Sequence, residues 1–363
     1  MKNPKALKMS RRVVQRGFSL IELMIALLLG LLVTAAAGGV FISNKRVYAA
    51  TETLGRIQEN SRVAFELMSR DVREAGGNPC STAATLVSQL TTGSNGWWTG
   101  YADGLEGFEG TVAMPATAIG TAVGQRVSGT DAIQLHLARD GAVRVTDHDT
   151  PSAVLSVSDS AGIAVDDILL ICNMNFAFVF QVTGLPSGKI QHAGGTSLNC
   201  SQEFQFERPE DGSCWTGASA DAGYCFTEDD SPCDAGSFAP AFLARVNSMQ
   251  WYVGNNDRGG TSLFRARVVN AGATETPTVQ GAREEIVEGV EDMQLEYLEA
   301  GDDDFGAETT VGDWGRVIAV RIRLQMTGAE GALTGNEIRG QNGEVLGRVM
   351  THVVNLRNRE DLL

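Results

Sequence analysis

The sequence predicts an α+β protein, in which one long N-terminal helix packs on a mainly antiparallel β-sheet domain with long loops. Proline is absent between residues 5 and 78, and an apolar stretch opens this part of the chain. Beyond it, short segments alternate apolar and polar residues, as half-buried strands do. These strand segments do not alternate with helical ones, so a parallel α/β sheet is not expected.

The first part of the helix has the length and composition of a membrane span. Phe18 to Ile42 holds 25 residues and one charged side chain, Glu22. At about 1.5 Å per residue it can cross the roughly 30 Å of a bilayer core. Its apolar residues surround the helix, as expected of a helix in lipid or in a fully buried position. We therefore assign 18–42 as a transmembrane segment.

The second part of the helix is amphipathic. Its apolar positions follow steps of three and four, which place them on one helical face: Leu54, Ile57, Ser61, Ala64, Met68, Val72 and Ala75. Gly76-Gly77-Asn78-Pro79 is a strong helix terminator. The sequence thus predicts a helix over 18–75, about 85 Å long. Its second half is expected to lie against the domain that follows.

The remaining residues, 76–363, are expected to form a β-rich domain. Alternating or buried apolar segments predict strands at 133–137, 167–172, 176–182, 293–297 and 320–326, and an extended tail over 347–359. Residues 80–130 and 184–240 are rich in Gly, Ser, Thr and Asp, which predicts loops. The second of these holds four of the six cysteines.

Residues 1–17 form a short basic leader. They carry six positive side chains and no acid, so removing them lowers the formal charge from −15 to −21. By the positive-inside rule the leader stays cytoplasmic and the body is exported to the periplasm. An acidic body repels phosphate, which argues against general binding of DNA.

The apolar run begins abruptly at Gly17-Phe18-Ser19-Leu20-Ile21-Glu22-Leu23. This motif resembles the type IV prepilin signal. The resemblance implies that prepilin peptidase cuts between Gly17 and Phe18, that Phe18 is N-methylated and that the apolar helix is kept. An ordinary secretory signal would instead be cut after its apolar core, near Ala35-Ala36-Ala37-Gly38-Gly39.

Glu22 is the candidate assembly charge. A carboxylate inside a membrane span is costly, on the order of 3 kcal/mol at a helix centre and less near its end. Such a group requires a cation, and cleavage would create an amine at Phe18, one helical turn away. In type IV pilins the matching glutamate pairs with the N-terminus of an adjacent subunit during assembly. The alternative is a glutamate solvated by lipid headgroups.

Six cysteines follow the membrane segment: Cys80, Cys172, Cys200, Cys214, Cys225 and Cys233. An even number downstream of an export signal favours disulfides in an oxidising compartment, with buried free thiols as the alternative. Sequence alone allows fifteen complete pairings. Our hypothesis pairs Cys172 with Cys200, Cys214 with Cys225, and Cys80 with Cys233.

No catalytic or metal motif is found. His136, His148, His192 and His352 form no close metal pair, and neither a GxSxG elbow nor a P-loop occurs. His136 and His352 fall in strand-like patterns, so we expect them on exposed faces. Asp229-Asp230 and Asp302-Asp303-Asp304 could bind Ca²⁺, but they lack EF-hand spacing and are better explained as solvated loops. No enzyme activity or cofactor is expected.

The helix through Cys80, the segment around Val290–Tyr297 and the tail Val353-Val354-Asn355-Leu356-Arg357-Asn358 are similar to the PilW family of minor pilins. This resemblance implies a single-pass inner-membrane protein that enters a type IV pilus. Its partners would be prepilin peptidase, other major and minor pilins and the assembly platform. The bulky body favours a role at the tip, in initiating assembly. The alternatives are a minor pseudopilin of a type II secretion system, and a tip adhesin or DNA-uptake pilin whose 184–240 region binds the ligand.

Overall fold

The computed structural model describes most of the chain in detail. The described residues are 17–81, 84–91, 97, 101, 104–115, 117–194, 198–205, 214, 224–226, 241–268, 283–328 and 347–362. Two compact units are found, Met1–Glu52 and Thr53–Leu363. The first contains the apolar part of the N-terminal helix, and the second contains the rest of that helix with all the strands.

The N-terminal helix, α1, covers Leu20–Arg73. The prediction of 18–75 was therefore accurate to two residues at each end. The helix stops because Gly76 adopts a positive φ of 68°, which residues with a Cβ rarely do. The backbone N–H of Gly76 then donates to the carbonyl of His136 and so connects the helix end to the sheet.

Thirteen strands occur in the described part of the chain. In chain order they are β1 Thr85–Ser88, β2 Leu105–Phe108, β3 Ala132–Asp149, β4 Val154–Val157, β5 Ile168–Cys172, β6 Phe176–Gln181, β7 Ile190–Gln191, β8 Ala241–Asn255, β9 Thr261–Arg267, β10 Arg283–Glu288, β11 Val290–Glu299, β12 Val317–Thr327 and β13 Gly347–Asn355. All five predicted strand segments are found, and β13 confirms the extended tail up to Asn355. From Arg357 to Leu362 the tail is a short 3₁₀ helix instead.

Ten strands form one large sheet in the order β1-β6-β5-β8-β3-β4-β7, with β9 and β10 continuing from β8 and β2 pairing with β3. The pairs are antiparallel except that β1 runs parallel to β6. This parallel pair was not predicted, because 80–130 was interpreted as loop. The remaining strands form an antiparallel sheet, β11-β12-β13. The expected α+β fold with a mainly antiparallel sheet is confirmed.

The second half of α1 contributes directly to the main hydrophobic core. Ile57, Ala64, Met68 and Val72 are buried there with the apolar faces of β3, β8, β9 and β11–β13. The apolar positions at steps of three and four predicted this buried face correctly except at Leu54, which remains 38% exposed. A second core, rich in aromatic residues, lies between β5, β6 and the other end of β8.

Candidate functional site

The first turn of α1 is capped by Ser19. Gly17, Phe18 and Ser19 are not helical, and the helix begins at Leu20. The hydroxyl oxygen of Ser19 accepts a hydrogen bond from the backbone N–H of Glu22, at 3.3 Å. The carbonyl of Ser19 accepts the N–H of Leu23, at 3.2 Å, which is the first regular helical bond. Ser-x-x-Glu before an apolar run is the capping-box pattern, and it explains where the helix starts.

The helix surface after this cap is apolar and open on every side. All residues from Gly17 to Tyr48 are exposed, including Phe18 at 84% and Leu31 at 75%. Exposing apolar surface to water costs roughly 25 cal/mol per Å², so a surface of this extent needs a cover. By length and composition the helix is able to cross a membrane. Lipid, or the helices of other subunits, can supply that cover.

Glu22 is the one charged side chain between Phe18 and Ile42. It lies in the first turn of α1 and is exposed. Within the described residues its carboxylate has no ion pair or hydrogen bond. The partial positive charge of the helix N-terminus favours an acid at this position. The carboxylate is therefore open to a cation from outside this region.

The other half of α1 is anchored to the body by an ion pair. Asp71 is fully buried, and its Oδ2 lies 3.3 Å from Nη1 of Arg265 on β9. Nη2 of Arg265 also binds Glu284 at 2.8 Å, and the guanidinium lies 5.4 Å from the centre of the Trp251 ring. The bond to Arg265 lowers the pKa of Glu284. This network connects α1 to β8, β9 and β10.

The predicted disulfide pairing was wrong. The structure joins Cys80 to Cys172, and Cys200 to Cys214. The order of three strands explains the first pair. Cys80 precedes β1, and β1 pairs with β6. On its other side β6 pairs with β5, which ends at Cys172. Cys225 is disulfide-bonded as well. Cys233 lies outside the described residues.

The histidines are distributed differently from the prediction. His352 is exposed, as expected, but His136 is buried. Its Nδ1 lies 2.9 Å from the hydroxyl of Ser248, and that hydroxyl donates a hydrogen bond to the Tyr101 oxygen at 3.0 Å. Burial lowers the pKa of His136 to about 3, so it is neutral. The rings of Trp97 and Tyr101 pack against His136, a contact that the alternation of residues on β3 alone does not reveal.

His148 and His192 form a second buried polar pair, with 3.0 Å between their Nε2 atoms. Burial lowers the pKa of His148 to about 4 and that of His192 to about 3. Both rings pack against Phe204 in the aromatic core. With both imidazoles neutral, the Nε2–H of one ring donates a hydrogen bond to the Nε2 of the other. The hydrogen-bonding needs of these two nitrogens are therefore met inside the core.

Among the described residues, no group of three or more His, Cys, Asp or Glu side chains is arranged to hold a metal ion. Asp302, Asp303 and Asp304 are exposed in the loop after β11. The other acidic pair considered for calcium, Asp229-Asp230, lies outside the described residues. The arrangement with a clear chemical consequence is therefore the exposed apolar helix with its single carboxylate.

Two family models match the chain. Residues 12–38 match the prokaryotic N-terminal methylation motif, which covers the cap, Glu22 and most of the apolar helix. Residues 250–358 match the type IV pilus-assembly protein W family, from β8 through β13. Together the two matches support a PilW-like type IV pilin. No curated protein and no solved structure shows significant similarity to it.

This assignment agrees with the division of α1. In the PilW-like chain, the methylation motif lies in the unit whose helix surface is exposed, and the PilW match lies in the unit whose helix surface is buried against strands. The sequence motif identified Gly17, Phe18 and Glu22 as candidate residues. It did not identify the capping role of Ser19, although the Ser-x-x-Glu spacing carries that signal.

Proposed function

We propose that this chain is a minor pilin that prepilin peptidase cuts between Gly17 and Phe18, and that enters a type IV pilus through the first half of α1. The observation that supports this most strongly is the contrast along α1. Residues 17–48 are exposed, and 18–42 among them carry one charged side chain, whereas Ile57 to Ala75 bury one face in the body. A helix of this kind is stable only when lipid or other helices cover its exposed half.

In the membrane, the leader would lie in the cytoplasm and the body in the periplasm. The apolar surface of 18–42 would be covered by lipid, with Glu22 near the cytoplasmic interface. Cleavage would release six positive charges and create an amine at Phe18, the position of N-methylation. The chain would then leave the membrane by exchanging lipid contacts for contacts with the helices of other pilins.

Glu22 would drive this exchange and would set the register in which the helix packs against its neighbours. A carboxylate in an apolar surrounding is costly unless it is paired, and a partner amine within hydrogen-bonding distance offsets that cost. We propose that the partner is the Phe18 amine of an adjacent subunit. The chain's own amine would in turn bind the glutamate of the next subunit.

The size of the body favours a position at the tip, where the chain would help initiate assembly. Residues 76–363 would form a large domain, and such bulk on every subunit would crowd a thin fibre. A single subunit at the tip avoids this crowding. The PilW match favours the pilus over a type II secretion system, for which the same helix would serve equally well.

Mass spectrometry of the processed N-terminus tests the proposal. Membranes from cells with and without prepilin peptidase would be compared. We expect a mature chain that begins with N-methylated Phe18 only when the peptidase is present. A chain that begins near Gly38 in both strains would show ordinary signal cleavage, and the proposal would then be wrong.

A further inference from the structure

We infer that Ser19 is a positioning residue for assembly. Its hydroxyl caps α1, and it thereby keeps the bond to be cut just outside the helix and the carboxylate of Glu22 in the first helical turn. This inference rests on the proposed function and extends it to a residue outside the cleavage and pairing chemistry. The geometry that supports it is the 3.3 Å bond from the Glu22 N–H to the Ser19 hydroxyl oxygen.

The cap determines where the helix begins. Because Ser19 is the N-cap, the bond between Gly17 and Phe18 lies in non-helical backbone, two residues before the first helical residue, Leu20. A peptidase requires accessible, non-helical backbone at the bond it cuts. The same cap fixes the N–H of Glu22 at the third helical position, so the carboxylate and the new amine lie within one turn of each other.

No other described side chain caps this end of α1 with a hydrogen bond or an apolar contact. A complete capping motif would also pack Phe18 against Leu23, but Phe18 is 84% exposed and Leu23 is exposed too. The reciprocal bond, from the Ser19 N–H to the carboxylate of Glu22, is likewise not formed among the described groups. The Ser19 hydroxyl therefore holds the helix start, and the carboxylate of Glu22 is left free for an intermolecular partner.

The cap gains importance when water is excluded. In water, a solvent molecule can replace the hydroxyl at the Glu22 N–H. At the cytoplasmic interface of the membrane, water can still reach this N–H. Inside a filament no such replacement is available, and an unsatisfied backbone N–H becomes more costly. Loss of the cap should therefore impair incorporation into the pilus more than it impairs the level of protein in the membrane.

Three substitutions at position 19 test the inference in the full-length chain. Ser19→Ala removes the capping oxygen, whereas Ser19→Thr and Ser19→Asn keep one. Thr34→Ala is the matched control: it removes a hydroxyl from the same exposed helix, but that hydroxyl bonds the carbonyl of Gly30 and is not a cap. The readout is processed chain in sheared pili divided by processed chain in the membrane.

We expect Ser19→Ala to lower this ratio by about fivefold or more, the factor that follows from the typical cost of losing an N-cap. Ser19→Thr, Ser19→Asn and Thr34→Ala should stay within about twofold of the wild type. If Ser19→Ala is not processed at all but Ser19→Asn is, the cap is needed at the cleavage step, which also supports the inference.

Two results would overturn it. One is a wild-type ratio for Ser19→Ala. The other is failure of Ser19→Asn together with Ser19→Ala, which would mean that serine itself is recognised. Glu22→Ala in the same assay separates the two proposals. Normal incorporation of Glu22→Ala would contradict the charge pairing, whereas impaired Glu22→Ala beside normal Ser19→Ala would contradict the role of Ser19 alone.

Discussion

The ion pair between Asp71 and Arg265 predicts how firmly α1 is held on the body. Asp71 is fully buried and Arg265 is 9% exposed, so removing the carboxylate leaves a largely buried guanidinium with less compensation. Breaking a buried pair from one side typically costs about 3–5 kcal/mol. Arg265 keeps Glu284, whose side chain is 48% exposed. We therefore expect Asp71→Ala to lower the free energy of unfolding by about 3 kcal/mol, the lower end of that range.

Chemical denaturation of the full-length chain in detergent, followed by tryptophan fluorescence, measures this loss. The buried ring of Trp251 stacks on Arg265 and provides a local signal. The double variant Asp71→Ala/Arg265→Met is the control, because replacing both charges with uncharged groups often restores stability. Glu66→Ala, an exposed acid on the same helix, should change stability by less than about 0.5 kcal/mol. A change below about 1 kcal/mol for Asp71→Ala would refute the reasoning.

Two further predictions concern the body. His136, His148 and His192 have folded-state pKa values of about 3, about 4 and about 3, below the ordinary 6.5, so the unfolded chain binds more protons as the pH falls. Stability should thus be complete above about pH 6.5 and fall by up to about 1.4 kcal/mol per histidine per pH unit below it. Thermal melts at pH 7 and pH 5 measure this, and equal midpoints would contradict it. Replacing Cys80 and Cys172 together with alanine opens a loop of 92 residues and should cost about 2–4 kcal/mol, measured by denaturation. An unchanged midpoint would argue against that disulfide.

Much of the helix could be predicted from local pattern. The apolar stretch, the steps of three and four through Ile57, Ala64 and Met68, and the Gly76-Gly77 terminator depend only on neighbours in the chain. The structure accordingly has α1 at Leu20–Arg73 and buries that face. The alternating segments likewise predicted strands, because the period of two is a local property.

The features that sequence analysis missed depend on contacts between distant segments. The partner of Cys80 is set by the order of β1, β6 and β5, and no local pattern encodes that order. The burial of His136 depends on Tyr101, a residue outside β3 whose ring packs against the imidazole. Asp71 and Arg265 are separated by 194 residues, so their pairing is visible only in the folded chain.

Incorporation of Glu22→Ala into pili shows whether the Glu22 carboxylate is needed for assembly. Glu59→Ala is the matched control, since Glu59 is an exposed glutamate on the half of α1 that packs on the body. Each variant's level would be measured by immunoblotting in membranes and in sheared pili. We expect normal membrane levels for both variants and normal incorporation of Glu59→Ala. Glu22→Ala should be at least about tenfold less abundant in pili, equivalent to about 1.4 kcal/mol. Equal incorporation of the two variants would contradict the assembly role of the lone carboxylate on the exposed helix.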